Sequence, residues 1–290
     1  MWQQNSFQND NTEGCLYLVP TPIGNLEDMT FRAIRILKES DIIAAEDTRQ
    51  TKKLLNYFQI SNAVMSYHEH NKETSGEKII NLLKSGKKVA LVSDAGMPTI
   101  SDPGFEIVVA ALKEQYKVIP LPGANAALTS LIASGIKTQP FYFYGFLPRH
   151  KKEKRKQLEL CNQVQETMIF YESPHRLQET LKMMLEQLGD RPAVLSRELT
   201  KKYEEFIRGT IQDLLQWSQQ SNVRGEFCIL VEGSSKESHM ENQWWEELTV
   251  VEHIDYYINK QSYTSKDAIK KVAKDRDMVK REVYQQYHIK

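Results

Sequence analysis

Short apolar runs alternate along the chain with stretches in which apolar positions recur every three to four residues. The runs are typical of buried strands, and the spaced positions are typical of helices that pack one face against a sheet. Helices are predicted at residues 27–40, 51–58, 78–85, 105–115, 124–134, 152–161, 175–188 and 211–219. Strands are predicted at residues 41–45, 88–93, 117–121, 141–145, 166–171, 193–197 and 226–231, in addition to a run that begins at Leu16. This alternation predicts an α/β fold, with a mostly parallel sheet covered on both faces and then a second α/β block.

Three of the strand-like runs end in loops built from Pro, Gly and small residues. They read LYLVPTPIG at 16–24, VALVSDAGMPTISDPG at 89–104 and VIPLPGANAA at 118–127. In an open α/β sheet, ligands bind at the carboxyl ends of strands, because backbone N–H groups and helix N-termini converge there. The three loops therefore predict a ligand site in preference to ordinary turns.

Changes of composition along the chain predict how it divides into domains. The polar residues 1–12 are expected to be a disordered tail, and GSSKES at 233–238 is expected to be a linker. Beyond the linker, residues 244–259 and 265–286 have helical patterns. The predicted organisation is an N-terminal α/β domain at 13–123, a C-terminal α/β domain at 124–233, and a linker with a small helical appendage at 234–290.

Charge and cysteine content argue against several classes of protein. The 290 residues include 38 basic and 38 acidic side chains, so the overall charge gives no sign of a nucleic-acid partner. The three cysteines form neither a C-x-x-C pair nor a Cys/His cluster, which disfavours a metal site and a redox motif. No apolar stretch approaches the length of a membrane span and the start lacks a signal-peptide pattern, so a cytoplasmic protein without membrane contact is expected.

Positive charge is nevertheless concentrated at residues 149–156, which read RHKKEKRK. A run of charge is more often a solvated helix face than a binding site. Because this run follows a Gly/Pro break, a loop that contacts phosphates is an equally good interpretation.

The second loop suggests the chemistry of its ligand. Asp94 is followed by AGMP, so a carboxylate that suits an amine or hydroxyls lies beside small residues that suit an apolar body. S-adenosylmethionine combines these features, although a turn or N-cap role is the alternative interpretation of Asp94. The chain has no Walker A sequence, and no G-x-G-x-x-G follows the first strand, which disfavours ATP hydrolysis and a standard dinucleotide fold.

Seven segments carry a family resemblance, in order, over residues 14–233. They read LVPTPIGNLEDMT, AEDTR, SDAGMPTISDPG, LPGANAALTSLIASG, FYGFLP, FYESPHR and SRELTKKYEEFIRG. Together they resemble the ribosomal RNA small subunit methyltransferase I family, within the tetrapyrrole-methylase-like fold. The resemblance implies a homodimer whose subunits have two α/β domains, with S-adenosylmethionine in the cleft between them. It also implies 2′-O-methylation of a decoding-region cytidine, position 1402 in ribosomal numbering, in the 16S rRNA of the small ribosomal subunit.

The same resemblance implies a set of site residues. The implied cofactor contacts are Pro22, Ile23, Ser93, Asp94, Ala95, Pro98, Asn125, Ala126, Tyr171 and Leu199. Because the ribose hydroxyl must lose its proton, acidic and basic residues at the predicted cleft are the catalytic candidates. These are Asp102, Glu172 and Arg197, with Asp47 and His175 as further candidates for a base. The residues expected to contact RNA are Arg49, Arg149, Lys151, Lys152, Lys154, Arg155, His175 and Arg176.

Each catalytic candidate has a structural alternative. Asp102 precedes Pro-Gly as a turn former would, and Glu172 or Arg197 could form a buried ion pair between strands. Two other functions also fit the sequence, namely methylation of a tetrapyrrole precursor and a non-catalytic role in ribosome assembly. The basic segment and the helical tail argue against the first, and the second predicts that no cofactor binds.

Overall fold

The computed structural model describes residues 1–6, 14–220, 223–235, 245, 248–276 and 278–288. The chain forms two compact units, Met1–Ser234 and Ser235–Lys290. Residues 7–12 of the predicted tail, residues 236–238 of the predicted linker and residue 244 of a predicted helix lie outside the described residues.

The first unit begins with a five-stranded sheet that is parallel throughout, in the order β3-β2-β4-β1-β5. Its strands are β1 (Cys15–Leu18), β2 (Ile42–Ala45), β3 (Ala63–Ser66), β4 (Lys88–Val92) and β5 (Lys117–Pro120). The helices along this part of the chain are α1 (Phe31–Glu39), α2 (Thr48–Tyr57), α3 (Lys72–Lys84) and α4 (Phe105–Lys113). The prediction of a parallel sheet is correct here.

Successive residues of the central strands pack into two different cores. Ile43 and Ala90 belong to one cluster, whereas their neighbours Ala44 and Val89 belong to another. Because neighbouring side chains of a strand point to opposite faces, both faces of the sheet are buried. This double burial explains why these strands are continuous apolar runs without polar alternation.

The first two helices begin where a side chain caps their free backbone N–H groups. Thr30 Oγ1 accepts a hydrogen bond from the N–H of Ala33 at 3.0 Å, so α1 begins later than the predicted residue 27. Asp47 Oδ1 accepts from the N–H of Arg49 at 2.8 Å, so α2 begins earlier than the predicted residue 51.

A second five-stranded sheet follows in the same unit, in the order β6-β7-β10-β8-β9. Its strands are β6 (Phe141–Phe146), β7 (Thr167–Glu172), β8 (Pro192–Arg197), β9 (Glu205–Thr210) and β10 (Phe227–Val231). The helices of this part are α5 (Ala126–Ser134), α6 (Lys151–Cys161), α7 (Pro174–Leu188) and α8 (Ile211–Gln220). The β6–β7 pair is parallel and the other three pairs are antiparallel, so this sheet is mixed.

The described residues of the second unit form three short helices, α9 (Val250–Gln261), α10 (Ser265–Asp275) and α11 (Lys280–His288). Ile254, Ile269 and Val283 lie in a small core of their own. Thr249 and Glu252 form a capping box that begins α9. The predicted helical appendage is therefore confirmed, although the predicted helix 265–286 is divided into α10 and α11.

The described part of the N-terminus contacts the edge of the first sheet. Gln4 Oε1 accepts a hydrogen bond from the N–H of Val118, and Gln4 Nε2 donates to the carbonyl of Val118, both at 2.9 Å. Val118 lies in β5, which is an edge strand, so the amide occupies groups that another strand would pair with.

Among the helices of the described ranges, none combines the length and the apolar character that crossing a bilayer requires.

Candidate active site

A cavity of about 600 Å³ opens within the first unit, beside the loops that follow the strands. This volume is in the range of small-molecule sites in proteins. The loops after β1 and β4 contribute to its wall, together with the start of α5 and residues at or near the ends of β7, β8 and β10. Residues that line it include Ile23, Glu46, Asp94, Ala95, Gly96, Asp102, Asn125, Ala126, Phe146, Tyr171, Glu172, Ser196, Glu198, Leu199, Gly225 and Glu226.

The first two loops are joined directly. Thr21 and Gly96 exchange two backbone hydrogen bonds of 2.9 and 3.0 Å, and Thr21 Oγ1 donates to the carbonyl of Ser93 at 3.0 Å. Gly96 has a φ of 79°, and an added Cβ would lie 3.4 Å from Ile23 Cγ2. A glycine is required at this position because other residues rarely adopt that φ. The two loops therefore form one rigid wall.

The third loop is fixed by a contact from the second sheet. Asn125 Oδ1 accepts from the N–H of Leu128 at 2.9 Å and so caps α5. The hydroxyl oxygen of Tyr171, in β7, accepts from the N–H of Ala127 at 3.1 Å. Burial raises the pKa of Tyr171, which keeps the phenol neutral. These bonds hold Asn125, Ala126 and Tyr171 together at the cavity.

Several carboxylates face the cavity and oppose one another's ionisation. Burial, followed by the charges of Glu46, Asp94 and Glu226, raises the pKa of Asp102 to about 6. Burial and the charge of Asp94 also raise the pKa of Glu46. Asp94 Oδ1 accepts from the N–H of Asp47 at 3.0 Å, which orients this carboxylate. The cavity is therefore suited to a ligand that carries positive charge or several hydroxyls.

Glu172 lies at the cavity but is fully committed to other groups. Its side chain is 1% exposed, and Oε1 accepts from the N–H of Ser173 at 2.8 Å and lies 3.3 Å from Nε of Arg176. Oε2 accepts from the hydroxyl of Thr180 at 2.7 Å, and that hydroxyl accepts from Nζ of Lys154 at 2.9 Å. A carboxylate held in this way is suited to positioning its neighbours and poorly suited to receiving a proton from a substrate.

Arg197, predicted as a catalytic residue, does not line the cavity. Its Nε donates to Glu205 Oε2 at 2.5 Å, and its guanidinium lies 5.1 Å from the ring centroid of Trp217. Since Arg197 is in β8 and Glu205 is in β9, this is an ion pair between strands. These contacts are those of the structural alternative, an ion pair between strands.

Most of the residues expected to contact the cofactor lie at the cavity, namely Ile23, Asp94, Ala95, Asn125, Ala126, Tyr171 and Leu199. Pro22 and Ser93 instead line a neighbouring groove, with Asp94 shared between the two. Pro98 lines neither. The sequence interpretation missed Glu46 and Glu226 as cavity residues. A signal was present, because each acid adjoins an apolar strand-like run.

Most of the basic run at 149–156 lies in α6, which begins at Lys151 and agrees with the helix predicted at 152–161, so the loop interpretation of the run is wrong from Lys151 onward. Lys154 has no exposed surface, and its Nζ lies 3.4 Å from Glu179 Oε1 besides its bond to Thr180. An RNA contact by Lys154 is therefore excluded in this fold. Arg176 is also half-buried, and it donates to the carbonyls of Leu147 and Pro148.

The other residues expected to contact RNA are exposed, namely Arg49, Arg149, Lys151, Lys152, Arg155 and His175. Three of them have acidic partners. Arg49 pairs with Asp47 at 2.9 Å, Lys151 with Glu179 at 2.9 Å, and Arg155 with Glu186 at 3.3 Å. Of the base candidates, Asp47 caps α2 and pairs with Arg49, whereas His175 does not line the cavity.

Comparison with known proteins assigns the chain to a family. The family model described as Tetrapyrrole (Corrin/Porphyrin) Methylases matches residues 15–215. A Bacillus subtilis protein named Ribosomal RNA small subunit methyltransferase I is 64% identical over 289 residues, which is 99% of each chain. A protein of the same name from Halalkalibacterium halodurans is 57% identical over 99% of each chain.

A solved structure shares the fold at much lower identity. It is uroporphyrin-III C-methyltransferase from Thermus thermophilus, complexed with S-adenyl homocysteine, which has a TM-score of 0.53 and 20% identity. The match covers 75% of this chain and 97% of that chain. With its two α/β sheets, its loop-lined cavity and these relatives, the chain belongs to the tetrapyrrole (corrin/porphyrin) methylase family and, within it, to the group named ribosomal RNA small subunit methyltransferase I.

Proposed function

We propose that this protein uses S-adenosylmethionine to methylate the 2′-oxygen of a decoding-region cytidine, position 1402, in the 16S rRNA of the small ribosomal subunit. The observation that carries this proposal is the 64% identity, over 99% of both chains, to a protein named for ribosomal RNA small subunit methylation. The cavity supplies the second line of support, because its size and charge suit a cationic donor of this kind.

The residues of the cavity fit S-adenosylmethionine. Carboxylates of Asp94 and Glu46 face a space that would hold a sulfonium, an amine and ribose hydroxyls. Ala95, Ala126 and Leu199 offer small or apolar surface to the rest of the molecule. When bound, the cofactor supplies an electrophilic methyl group on a positively charged sulfur.

Asp102 is the residue that we assign to proton removal. With a pKa of about 6, its carboxylate is ionised at neutral pH and yet basic enough to accept a proton from a polarised hydroxyl. Asp102 would accept the proton of the ribose 2′-hydroxyl while that oxygen bonds to the methyl carbon, and a bound S-adenosylmethionine would supply the methyl group with its sulfur as the leaving group. Alignment of the reactants by the joined loops supplies much of the remaining acceleration, on the order of 7–11 kcal/mol.

Exposed positive charge near α6 is proposed to hold the RNA backbone. Arg149 and Lys152 are exposed, and among the described residues neither forms an ion pair. The further members of the proposed surface are Arg49, Lys151, Arg155 and His175.

Replacing Arg149 and Lys152 by Gln is expected to weaken the binding of small subunits and to reduce the salt dependence of that binding, without changing the affinity for S-adenosylmethionine. Lys38→Gln with Lys113→Gln provides a control of equal charge change on other exposed sites.

We further propose a homodimer of subunits, each with α/β domains at 13–123 and 124–233, working in the cytoplasm where ribosomal subunits are found. The support for the homodimer is apolar surface at helical spacing. Phe105, Val109 and Leu112 are exposed along one face of α4, and Leu128 and Ile132 are exposed on α5. Exposed apolar side chains grouped in this way are typical of interaction surfaces.

The decisive experiment is methyl transfer from labelled S-adenosylmethionine to small subunits, or to deproteinised 16S rRNA, from cells that lack the enzyme. Label on a ribose 2′-oxygen at position 1402 is the expected result. Saturable cofactor binding with label on a tetrapyrrole precursor and none on RNA would favour the small-molecule alternative. Absence of any cofactor-dependent rise in melting temperature would favour the non-catalytic assembly factor.

A further inference from the structure

A groove of about 480 Å³ adjoins the cavity and is also lined by the first loop. One wall is the loop itself, from Thr21 to Leu26, and the other is α2 through Gln50, Lys53 and Tyr57. These α2 positions follow the three-to-four spacing of a single helix face. None of them belongs to the cofactor or RNA contacts inferred above.

The groove and the cavity share a boundary. Asp94 lines both, and Pro22 faces the groove while the next residue, Ile23, faces the cavity. The two backbone bonds between Thr21 and Gly96 hold this boundary in place. A polymer whose reacting sugar enters the cavity would therefore continue over this wall into the groove.

The groove combines an aromatic face with an unneutralised cation. Tyr57 is 62% exposed, and its ring meets that of Phe58 edge-on, with the ring centroids 4.9 Å apart and the planes at 85°. Nζ of Lys53 donates to the amide oxygen of Gln50 at 3.2 Å, and no carboxylate within the described residues forms an ion pair with it. Exposed aromatic rings stack on unpaired bases, and ammonium groups pair with phosphates.

We propose that this groove binds a nucleotide adjacent to the methylated one, with its base stacked on Tyr57 and its phosphate against Lys53. This inference rests on the proposed function, because it requires a single-stranded RNA segment at the cavity. It assigns to α2 the task of holding the RNA strand extended, so that the target ribose is separated from its neighbour and reaches the cofactor.

The test compares Tyr57→Ala, Tyr57→Phe and Lys53→Gln with the wild-type enzyme, and it uses Lys52→Gln as a control on the same helix outside the groove. Tyr57→Ala is expected to raise KM for small subunits about tenfold, since it removes one stacking platform. Tyr57→Phe retains the ring and is expected to behave as wild type. Lys53→Gln is expected to reduce the salt slope of RNA binding by about one. KM for S-adenosylmethionine should not change in any variant.

A photo-crosslinking residue at position 57 provides a readout that does not depend on methyl transfer. The expected crosslink maps to a nucleotide next to position 1402. Wild-type methylation with unaltered KM in Tyr57→Ala, or a crosslink that maps to a distant nucleotide, would overturn the groove assignment alone. Failure of the wild-type enzyme to methylate RNA, together with no RNA crosslink from position 57, would overturn both proposals. Because Tyr57 and Lys53 are exposed, melting temperatures within about 2 °C of wild type confirm that the variants fold.

Discussion

Asp102 lies where burial and three neighbouring carboxylates oppose its ionisation, and this position makes it sensitive to pH. Its pKa of about 6 means that the carboxyl group loses its proton as the pH rises through that value. Only the deprotonated form can act as a base. We expect kcat/KM for small subunits to increase as the pH rises through about 6 and to level off only above that value, where Asp102 is fully ionised. The measurement is a pH–rate profile with S-adenosylmethionine affinity determined at each pH.

Replacement of Asp102 by Asn should reduce kcat by at least about 100-fold and abolish the rise near pH 6.

The same replacement should stabilise the fold. The folded-state pKa of Asp102 is raised above the value of 3.8 for a free Asp. The contribution of Asp102 to the free energy of unfolding is therefore fully present below about pH 3.8 and is lost as the pH rises through about 6. The neutral amide avoids this loss, and we expect the melting temperature at pH 8 to rise by about 3 °C. An inactive variant that melts at or below the wild-type temperature would argue against this account of the residue.

Among single residues, sequence alone identified those on the loops better than those on helices. Asp94 and Asn125 reach the cavity because the loops that follow the strands of a parallel sheet converge at one end of that sheet, and Tyr171 reaches it from the end of β7 in the second sheet. Lys154 was misassigned because a basic run does not reveal which of its members faces inward. The ion pair of Arg197 could not be identified from sequence, because its partner, Glu205, lies on a strand that the sequence pattern did not predict.

At the scale of elements, a buried cation is one of the links between α6 and the neighbouring elements α7 and β7. Lys154 reaches Thr180 of α7, and Thr180 in turn reaches Glu172 at the end of β7. Lys154→Ala removes the cation, so Thr180 Oγ1 loses the donor that it accepts from and Glu179 loses one of its two cationic partners. We expect the free energy of unfolding to fall by about 2–3 kcal/mol, as measured by urea denaturation.

Lys152→Ala is the matched control for this prediction, since Lys152 is on the same helix and exposed. It should change the free energy of unfolding by no more than about 0.5 kcal/mol. Equal effects of the two substitutions would show that the buried network does not stabilise α6.

A second link between elements joins α5 to β7 through the Tyr171 hydroxyl. Tyr171→Phe keeps the ring but leaves the N–H of Ala127 without its acceptor. We expect a loss of about 1 kcal/mol in the free energy of unfolding and weaker binding of S-adenosylmethionine. Calorimetric titration checks the affinity, and unchanged affinity would separate this bond from the cofactor site.

The elements that sequence did not reveal are β3 and β9. The exposed or half-buried residues of β3 include no long apolar run, and β9 carries charged residues at Glu205 and Arg208. Their positions at the edges of the two sheets explain this composition, because an edge strand has fewer neighbours and needs less apolar surface. The antiparallel pairing of β8 with β9 and β10 likewise has no signature in local periodicity.

At the scale of the whole molecule, the proposed homodimer makes a prediction about mass. The wild-type protein should have a mass in solution of about twice 33.7 kDa, as measured by light scattering. Phe105→Glu combined with Ile132→Glu places charge in the exposed apolar faces of α4 and α5 and should give a species of 33.7 kDa. Leu160→Glu, at an exposed apolar position on α6, should remain a dimer. A monomeric wild-type protein would contradict the homodimer directly.

The side chain of Gln4 acts at the open edge of the first sheet as one residue of an additional strand would. It occupies both the N–H and the carbonyl of Val118, so these groups are not available for pairing with a strand of another molecule. Loss of the first residues would therefore leave the enzyme's chemistry intact while making concentrated solutions more prone to ordered aggregation. In this way the N-terminal segment serves the solution behaviour of the protein.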